Sequence, residues 1–185
     1  LEKGVRLVGE TKKALILAVS KGKETNRIVS GGVSINWIKL TFKDTLNNNE
    51  IDCLPTRGLF LYAGDFKNIG GFYPKLLPHY LSDYEYTIRA KRKGYNLKVA
   101  KELHLFVDEN QTGYHDVILE KSYLKFLRKY FSKKSPSNPI TWTVFILLSA
   151  PLKWKMFNLI RVWSTAFIKI FARRIVILLR YKNKF

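Results

Sequence analysis

The sequence lacks several features that mark particular classes of protein. Its single cysteine, Cys53, excludes a disulfide framework and any multi-cysteine zinc site. We find no internal repeat, and the 46% of hydrophobic residues exclude intrinsic disorder, in which low hydrophobicity accompanies high charge. The 185-residue chain begins at Leu1, and its only methionine is Met156. We therefore expect an N-terminal part of a longer protein to precede Leu1.

A long hydrophobic run is also missing. The uncharged interval at residues 135–152 has 18 residues, but it contains three prolines, and its strongly apolar run at residues 144–148 has only five. A membrane-spanning helix needs about 20 predominantly apolar residues. We therefore expect this interval not to span a membrane.

Negative charge is absent from the last third of the chain. Glu120 is the last acidic residue, and residues 121–185 carry 15 Lys and Arg, a net charge of +15. Residues 1–120 carry 18 basic and 14 acidic residues, a net charge of +4. So abrupt a change indicates two regions with different roles rather than a general polyanion binder.

The pattern of apolar residues predicts both strands and helices in the first region. Gly70 is placed as a helix C-terminal glycine, because glycine takes a positive φ without steric cost. Ser82 is followed by Glu85 in a capping-box spacing, which predicts a helix start. The expected strands cover residues 14–19, 33–39, 51–54 and 95–100, and the expected helices cover residues 63–69, 83–93 and 115–131. We expect an α/β fold over residues 1–131, then a linker at 132–138.

Residues 139–185 are predicted to form a basic helical tail. Asn138 followed by Pro139 is typical of a helix start. At about 100° per residue, most basic side chains of residues 152–180 fall on one arc and most Trp, Phe, Leu and Ile side chains on the other, which is typical of a helix in a membrane interface. Packing against another part of the protein is the second interpretation. Nucleic-acid binding is the third, because the cations alternate with large aliphatic side chains.

The most informative stretch is residues 52–95. It contains Arg57-Gly58, then Ile69-Gly70-Gly71-Phe72, and then Ser82-Asp83-Tyr84-Glu85, followed by Arg89-Ala90 and Gly94-Tyr95. This order of elements resembles the acceptor half of family-2 glycosyltransferases of bacterial polysaccharide type. The resemblance covers roughly residues 1–130. It implies the C-terminal half of a GT-A, Rossmann-like domain.

The resemblance implies a role for individual residues. Asp83 would be the general base of an inverting transfer, since a hydroxyl is a poor nucleophile until its proton is being removed. Its place in the first helical turn would keep it ionised and slightly reduce its basicity. The substrate-binding residues would be Arg57, Gly58, Gly70, Gly71 and Tyr84.

Less specific interpretations of the same residues remain open. Asp83 alone could be a surface acid that stabilises a helix N-terminus, and Arg57 could be an ordinary surface cation. Glu85 is expected to pair with Arg89 rather than to act as a second catalytic acid. Residues 89–93 are expected to form a solvated helix face. The three histidines lack metal-ligand spacing, so no metal ligand is predicted.

The family's nucleotide-sugar half, with its Asp-x-Asp motif, is not found in this sequence. The resemblance therefore implies that the fragment alone is inactive, and that a divalent metal, Mg or Mn, acts in the intact enzyme. The expected partners are a nucleotide-sugar donor, a glycan or lipid-linked acceptor of a surface glycan, and an anionic membrane surface, with nucleic acid disfavoured. The expected location is the cytoplasmic face of the cell membrane, as a peripheral protein. The alternative function is a non-catalytic membrane- or polyanion-binding module.

Overall fold

The computed structural model describes residues 2–108 and 122–182, the last six of them by backbone alone. They form a mixed α/β structure, in agreement with the expected class. The helices are α1 (Glu2–Glu10), α2 (Ala63–Ile69), α3 (Ser82–Arg92), α4 (Tyr123–Tyr130), α5 (Pro139–Ser149) and α6 (Leu152–Lys182). The strands are β1 (Ala14–Gly22), β2 (Ile28–Ser30), β3 (Gly32–Asn36), β4 (Thr41–Thr45), β5 (Leu59–Phe60) and β6 (Asn96–Val107), and Asn48–Glu50 forms a 3₁₀ turn.

Strand β1 is the centre of the main sheet. It pairs in parallel with β6 along its whole length and antiparallel with β2 and β5. Seven consecutive residues from Ala14 to Ser20 are buried, because the strand is covered on both faces. The pairing with β6 shifts after Ala18, which lies opposite Ala100, so that Val19 lies opposite His104. This bulge extends β6 well beyond the strand predicted at residues 95–100.

Strands β3 and β4 form a separate antiparallel pair. The strand predicted at residues 51–54 is reduced to a single bridge between Cys53 and Val33. The Asp52 carboxylate, rather than a backbone carbonyl, accepts the Ile35 N–H at 2.8 Å. The Leu54 N–H is likewise taken by the Thr87 hydroxyl, so the ladder cannot continue.

Helices α2 and α3 follow the predicted bounds closely. Gly70 ends α2 in the left-handed region, with φ of 99°, and its N–H donates to the Phe66 carbonyl. The buried face of α3 presents Tyr86 and Ala90 to the apolar core around Leu15, Leu17 and other buried side chains of β1 and β6. This packing fixes the helix that carries Asp83 against the sheet.

The chain forms two compact units. The first comprises Leu1–Tyr73 and Ser82–Gly113, and the second comprises Pro74–Leu81 and Tyr114–Phe185, over their described residues. In the second unit, α4 packs Phe126 and Tyr130 against Ala166 of α6. Of the helix predicted at residues 115–131, only the part from Tyr123 is confirmed, and residues 115–121 lie outside the described residues.

The start of α5 is confirmed in detail. The Asn138 side chain accepts the Ile140 N–H at 2.9 Å, and its amide nitrogen donates to the carbonyls of Phe131 and Ser132. The turn between α4 and α5 is therefore fixed by one asparagine, rather than being only a polar linker. In the described part of the chain, no helix is long and apolar enough to cross a membrane.

Candidate functional site

Asp83 lies in the first turn of α3, beside the loop at residues 54–58. Its Oδ1 accepts the Tyr84 N–H at 2.9 Å. The Thr56 N–H also donates to this carboxylate. The side chain is half-buried, so it keeps access to solvent while one side is held by backbone donors. Asp83 is thus positioned by the loop that carries the predicted Arg57 and Gly58.

Thr87 joins that loop to the helix one turn after Asp83. Its hydroxyl is fully buried and accepts the Leu54 N–H at 2.9 Å. The Leu54 carbonyl, at 3.2 Å, and the Asp83 carbonyl, at 2.9 Å, lie within reach of the hydroxyl proton. A buried polar group that satisfies the backbone on both sides restricts the position of the loop relative to the helix. Sequence reasoning missed Thr87; its spacing of four residues from Asp83 was the available signal.

Arg57 and Gly58 occupy the middle of a tight turn. The Leu59 N–H donates to the Thr56 carbonyl at 3.2 Å, and Gly58 has a φ of +79°, as the third residue of a type II turn requires. The Gly58 carbonyl accepts the Ala18 N–H from β1 at 3.0 Å. The turn therefore anchors the loop to the central strand and leaves the Arg57 side chain exposed.

Tyr84 lies on the side of the helix that faces β4. Its ring centroid is 5.2 Å from that of Phe42. Burial, and then the charge of Asp83, raise the pKa of Tyr84, so its hydroxyl stays protonated at neutral pH and can serve as a hydrogen-bond donor. Tyr84 is thus placed beside the predicted base.

The pKa of Asp83 shifts in the opposite direction from the one expected from the sequence. Burial raises its pKa above the ordinary value, and the hydrogen bonds from Tyr84 and Thr56 only partly oppose this effect. The helix N-terminus was expected to reduce its basicity. The net direction is the opposite, because loss of hydration outweighs the backbone donors. A carboxylate with a raised pKa is a stronger base.

Cys53 lies on the buried side of the same loop. The residue is fully buried, as expected for a small core side chain. Burial, and then the charges of Asp83 and Asp52, raise the pKa of its thiol far above the ordinary value. The thiol is therefore neutral and is not a nucleophile at physiological pH.

A second set of contacts lies further along α3, around Arg89. Its guanidinium donates to the carbonyls of Ile69 at 2.7 Å, Gly70 at 3.2 Å and Gly71 at 2.6 Å. It also donates to both carboxylate oxygens of Glu85, at 2.9 and 3.0 Å, so all five of its N–H groups are used. Although burial lowers the pKa of Arg89, the hydrogen bond and charge of Glu85 outweigh it and raise the pKa overall.

The expected solvated helix face at residues 89–93 is wrong for Arg89. Its side chain is only 15% exposed, and its guanidinium stacks 4.4 Å from the Tyr73 ring centroid. Lys93 also donates to the carbonyls of Asn68 and Ile69, and Lys91 pairs with Asp52 at 3.2 Å. Arg89, Lys91 and Lys93 thus bind backbone carbonyls and a carboxylate. They can do so because the loop after α2 and the segment at residues 51–52 lie against α3.

The pairing of Glu85 with Arg89 is confirmed. Glu85 is buried, and its two oxygens accept from one guanidinium in a bidentate arrangement. The acid that follows Asp83 by two residues is therefore occupied with holding the helix to the Gly70-Gly71 loop.

The predicted site residues fall into two groups on one helix. Asp83 and Tyr84 lie with the Arg57-Gly58 turn at the start of α3. Gly70 and Gly71 lie against Arg89, six residues further along, a rise of about 9 Å. Arg89 links the second group to the helix that carries the first; its pairing with Glu85 was predicted from the sequence, but its burial and its contacts with the loop carbonyls were not.

The divalent metal that the resemblance implies has no ligand set in the described part of the chain. No three His, Cys, Asp or Glu side chains come together there as a metal-holding group. Of the carboxylates near Asp83, Glu85 accepts from Arg89, and Asp52 accepts from Lys91 and the Ile35 N–H. Glu85 and Asp52 are therefore already engaged by protein groups.

A scan against protein-family models finds no matching family, and a comparison with curated proteins finds no similar sequence.

Proposed function

We propose that this protein is an inverting glycosyltransferase in which Asp83 removes the proton from the acceptor hydroxyl. One observation carries the proposal: a half-buried carboxylate with a raised pKa is held in the first turn of α3 by the Thr56 and Tyr84 N–H groups. Such a group is more basic than an ordinary aspartate and is fixed in direction. The order of the surrounding motifs, which resembles that of family-2 enzymes, supports the same role and a GT-A type of domain.

The proposed reaction balances as a single displacement. The acceptor oxygen attacks the anomeric carbon of the donor sugar while its proton passes to an Asp83 oxygen. A C–O bond forms at the anomeric carbon, the bond to the diphosphate breaks, and the nucleoside diphosphate leaves with the electron pair. Attack opposite the leaving group inverts the configuration.

The remaining residues of the site position the base or contact the substrate and take no part in the proton transfer. The Thr87 contacts with Leu54 and the Asp83 carbonyl set the distance between the helix start and the loop at residues 54–58. Tyr84, with its protonated hydroxyl, is a donor beside the base. Arg57 is exposed on the turn and is a candidate for contact with a charged or hydroxylated part of the substrate.

An assay of sugar transfer tests the proposal. The protein expressed from its whole reading frame is incubated with a panel of nucleotide-sugars and a membrane lipid extract as the acceptor source. We expect release of nucleoside diphosphate with one donor class, together with an extracted product that carries the sugar at an inverted anomeric centre. Retention of configuration, or no transfer with any donor and metal combination, would contradict the proposal.

A further inference from the structure

Helix α6 buries polar or small side chains and exposes large apolar ones, whereas an ordinary amphipathic helix does the reverse. The side chains that it buries include Asn158 at 0% exposed, Ala166 at 1% and Arg173 at 9%. These positions follow one another at intervals of eight and seven residues, so they lie along one stripe. A helix at the surface of a soluble protein normally turns its apolar face inward. Here the fully buried positions are polar or small, and the large apolar residues on the same side, Leu159, Val162 and Ile170, are only half-buried.

The outward face is mostly apolar. Met156, Ile160, Trp163, Phe167 and Phe171 recur every three to four residues and form one stripe, which we call the outer stripe, about 130° around the helix from the buried one. Their exposed fractions run from 37% for Trp163 to 68% for Met156. Other exposed apolar residues of the helix are Leu152, Phe157, Ile168, Ile175 and Val176. A contiguous patch of this kind marks a surface for a protein or a membrane.

The packing within the second unit explains why the outer stripe is uncovered. Ala166 lies in the cluster formed by Phe126 and Tyr130 of α4, and Arg173 lies 6.0 Å from the Phe126 ring centroid. On α5, Thr143 accepts a hydrogen bond from Trp163 at 3.1 Å. The neighbouring helices thus cover the side of α6 that carries Ala166, Ile170 and Arg173, and α5 also binds the indole N–H of Trp163. The other members of the outer stripe remain exposed.

The charge around the stripe selects the partner. Helix α6 has eight Lys and Arg and no acidic residue, and no acidic residue follows Glu120 in the chain. Lys153 and Arg174 are exposed at the two ends of the outer stripe, whereas Lys169 is exposed on the opposite side of the helix. Two copies joined through this face would bring like charges together with no carboxylate from the tail to offset them. An anionic surface with an apolar interior complements both the charge and the outer stripe.

We propose that the outer stripe of α6 lies in the interface of an anionic lipid bilayer, with the helix parallel to the membrane plane. The aromatic and aliphatic side chains enter the acyl boundary, and the exposed cations contact lipid phosphates. Arg161 already stacks 4.6 Å from the Phe157 ring centroid, an arrangement in which a cation lies over an apolar side chain as the headgroup region requires. This inference uses only residues of the second unit and does not depend on the proposed reaction.

Vesicle flotation of the full chain tests the inference. We expect flotation with phosphatidylcholine vesicles that contain about one third phosphatidylglycerol, and much weaker flotation with phosphatidylcholine alone. Replacing Lys153 and Arg174 together by Gln should weaken binding to anionic vesicles about fivefold per cation and leave the weak binding to neutral ones unchanged.

The apolar contribution is tested with Phe167→Ser combined with Phe171→Ser. Both side chains are 65% exposed, so the fold should keep its melting temperature while the vesicle partition coefficient falls at least tenfold. Val5→Ser, at a position 61% exposed on α1, is the matched control and should leave flotation unchanged. Tryptophan fluorescence of a variant that keeps Trp163 and has Phe at the other three tryptophans should shift to shorter wavelength with anionic vesicles and be quenched by brominated lipid.

A second copy of the chain or a nucleic acid, in place of a lipid bilayer, would give different results in these experiments. A dimer in sedimentation that the Phe167/Phe171 variant abolishes, without vesicle binding by the wild type, would assign the face to a second copy. Binding to duplex DNA at physiological salt without flotation would assign the charge to nucleic acid. Either result, or flotation that the stripe variant does not weaken, would overturn the inference.

Discussion

Arg89 donates a hydrogen bond from Nη2 to the Gly71 carbonyl oxygen at 2.6 Å, and this bond joins the middle of α3 to the loop after α2. The same guanidinium holds the Glu85 carboxylate from the opposite side. One side chain therefore fixes the second group of candidate site residues to the helix that begins with Asp83. This relationship leads to the first prediction.

Arg89→Ala should lower the free energy of unfolding by about 3 kcal/mol, because it leaves the buried Glu85 charge without its partner. Urea denaturation measures this change. The double variant with Glu85→Ala should lose less than the sum of the two single variants, since no unpaired charge remains. Arg6→Ala is the matched control: its ion pair with Glu10 is exposed, so its effect should stay below about 0.5 kcal/mol. Equal effects at the two arginines would contradict the assignment.

Gly58→Ala should destabilise the first unit by about 1–2 kcal/mol, because a Cβ is unfavourable at its φ of +79°. The added carbon would also lie 3.3 Å from a Leu105 methyl group. Thermal unfolding measures the effect. Gly64→Ala, in α2, meets no atom within 4 Å and should be neutral or stabilising. A Gly58 variant as stable as the Gly64 variant would exclude the tight turn.

Cys53 should resist thiol reagents in the native protein. Burial and the nearby charges of Asp83 and Asp52 keep its thiol neutral, and the thiolate is the reactive form. A colorimetric disulfide reagent at neutral pH should therefore modify it only as fast as the protein opens, and at once in denaturant. Rapid modification of native protein, compared with a free cysteine peptide, would show that the loop at residues 51–58 is not packed as described.

Asp83 should make stability depend on pH in a defined direction. Because its pKa is raised in the folded protein, mainly by burial, the folded state binds the proton more tightly than the unfolded state. The resulting stabilisation is complete below the ordinary pKa of 3.8 and is lost as pH rises through the folded value. At neutral pH the free energy of unfolding of Asp83→Asn should thus be larger than that of wild type. Below the ordinary pKa the two proteins should be equally stable.

Glu24→Gln, which changes an exposed acid on a turn, is the control for this comparison. If Asp83→Asn destabilises the protein at neutral pH, the carboxylate contributes to the fold rather than opposing it. That result would exclude a base whose pKa is raised by burial.

Helices with local start and stop signals could be predicted from the sequence. Gly70 ends α2 at the expected residue, and Asn138-Pro139 begins α5, because a glycine with positive φ and a side-chain cap act over a few residues. Helix α1 was not predicted. It contains Gly4 and Gly9, which disfavour helix, and it is held by tertiary packing of Val8 beside Ala14 and Ile16.

The site could be predicted only in part. The motif order selected Asp83 and the Arg57-Gly58 turn, which the structure places beside one another through Thr56. The role of Arg89 depends on carbonyls 18 to 20 residues earlier in the chain, and no local pattern shows where a carbonyl points. For the same reason, the sequence showed that α6 is amphipathic but not that its apolar side faces outward.

The central claim is that Asp83 removes the acceptor proton, and turnover by Asp83→Asn in the protein expressed from its whole reading frame tests it most directly. The amide keeps the shape and the hydrogen bonds from Thr56 and Tyr84 but cannot take a proton. We predict that transfer falls by about 10²–10⁴-fold while nucleotide-sugar binding is retained and the melting temperature does not fall, with Glu24→Gln as active as wild type. Turnover by Asp83→Asn within a few-fold of wild type would contradict the account.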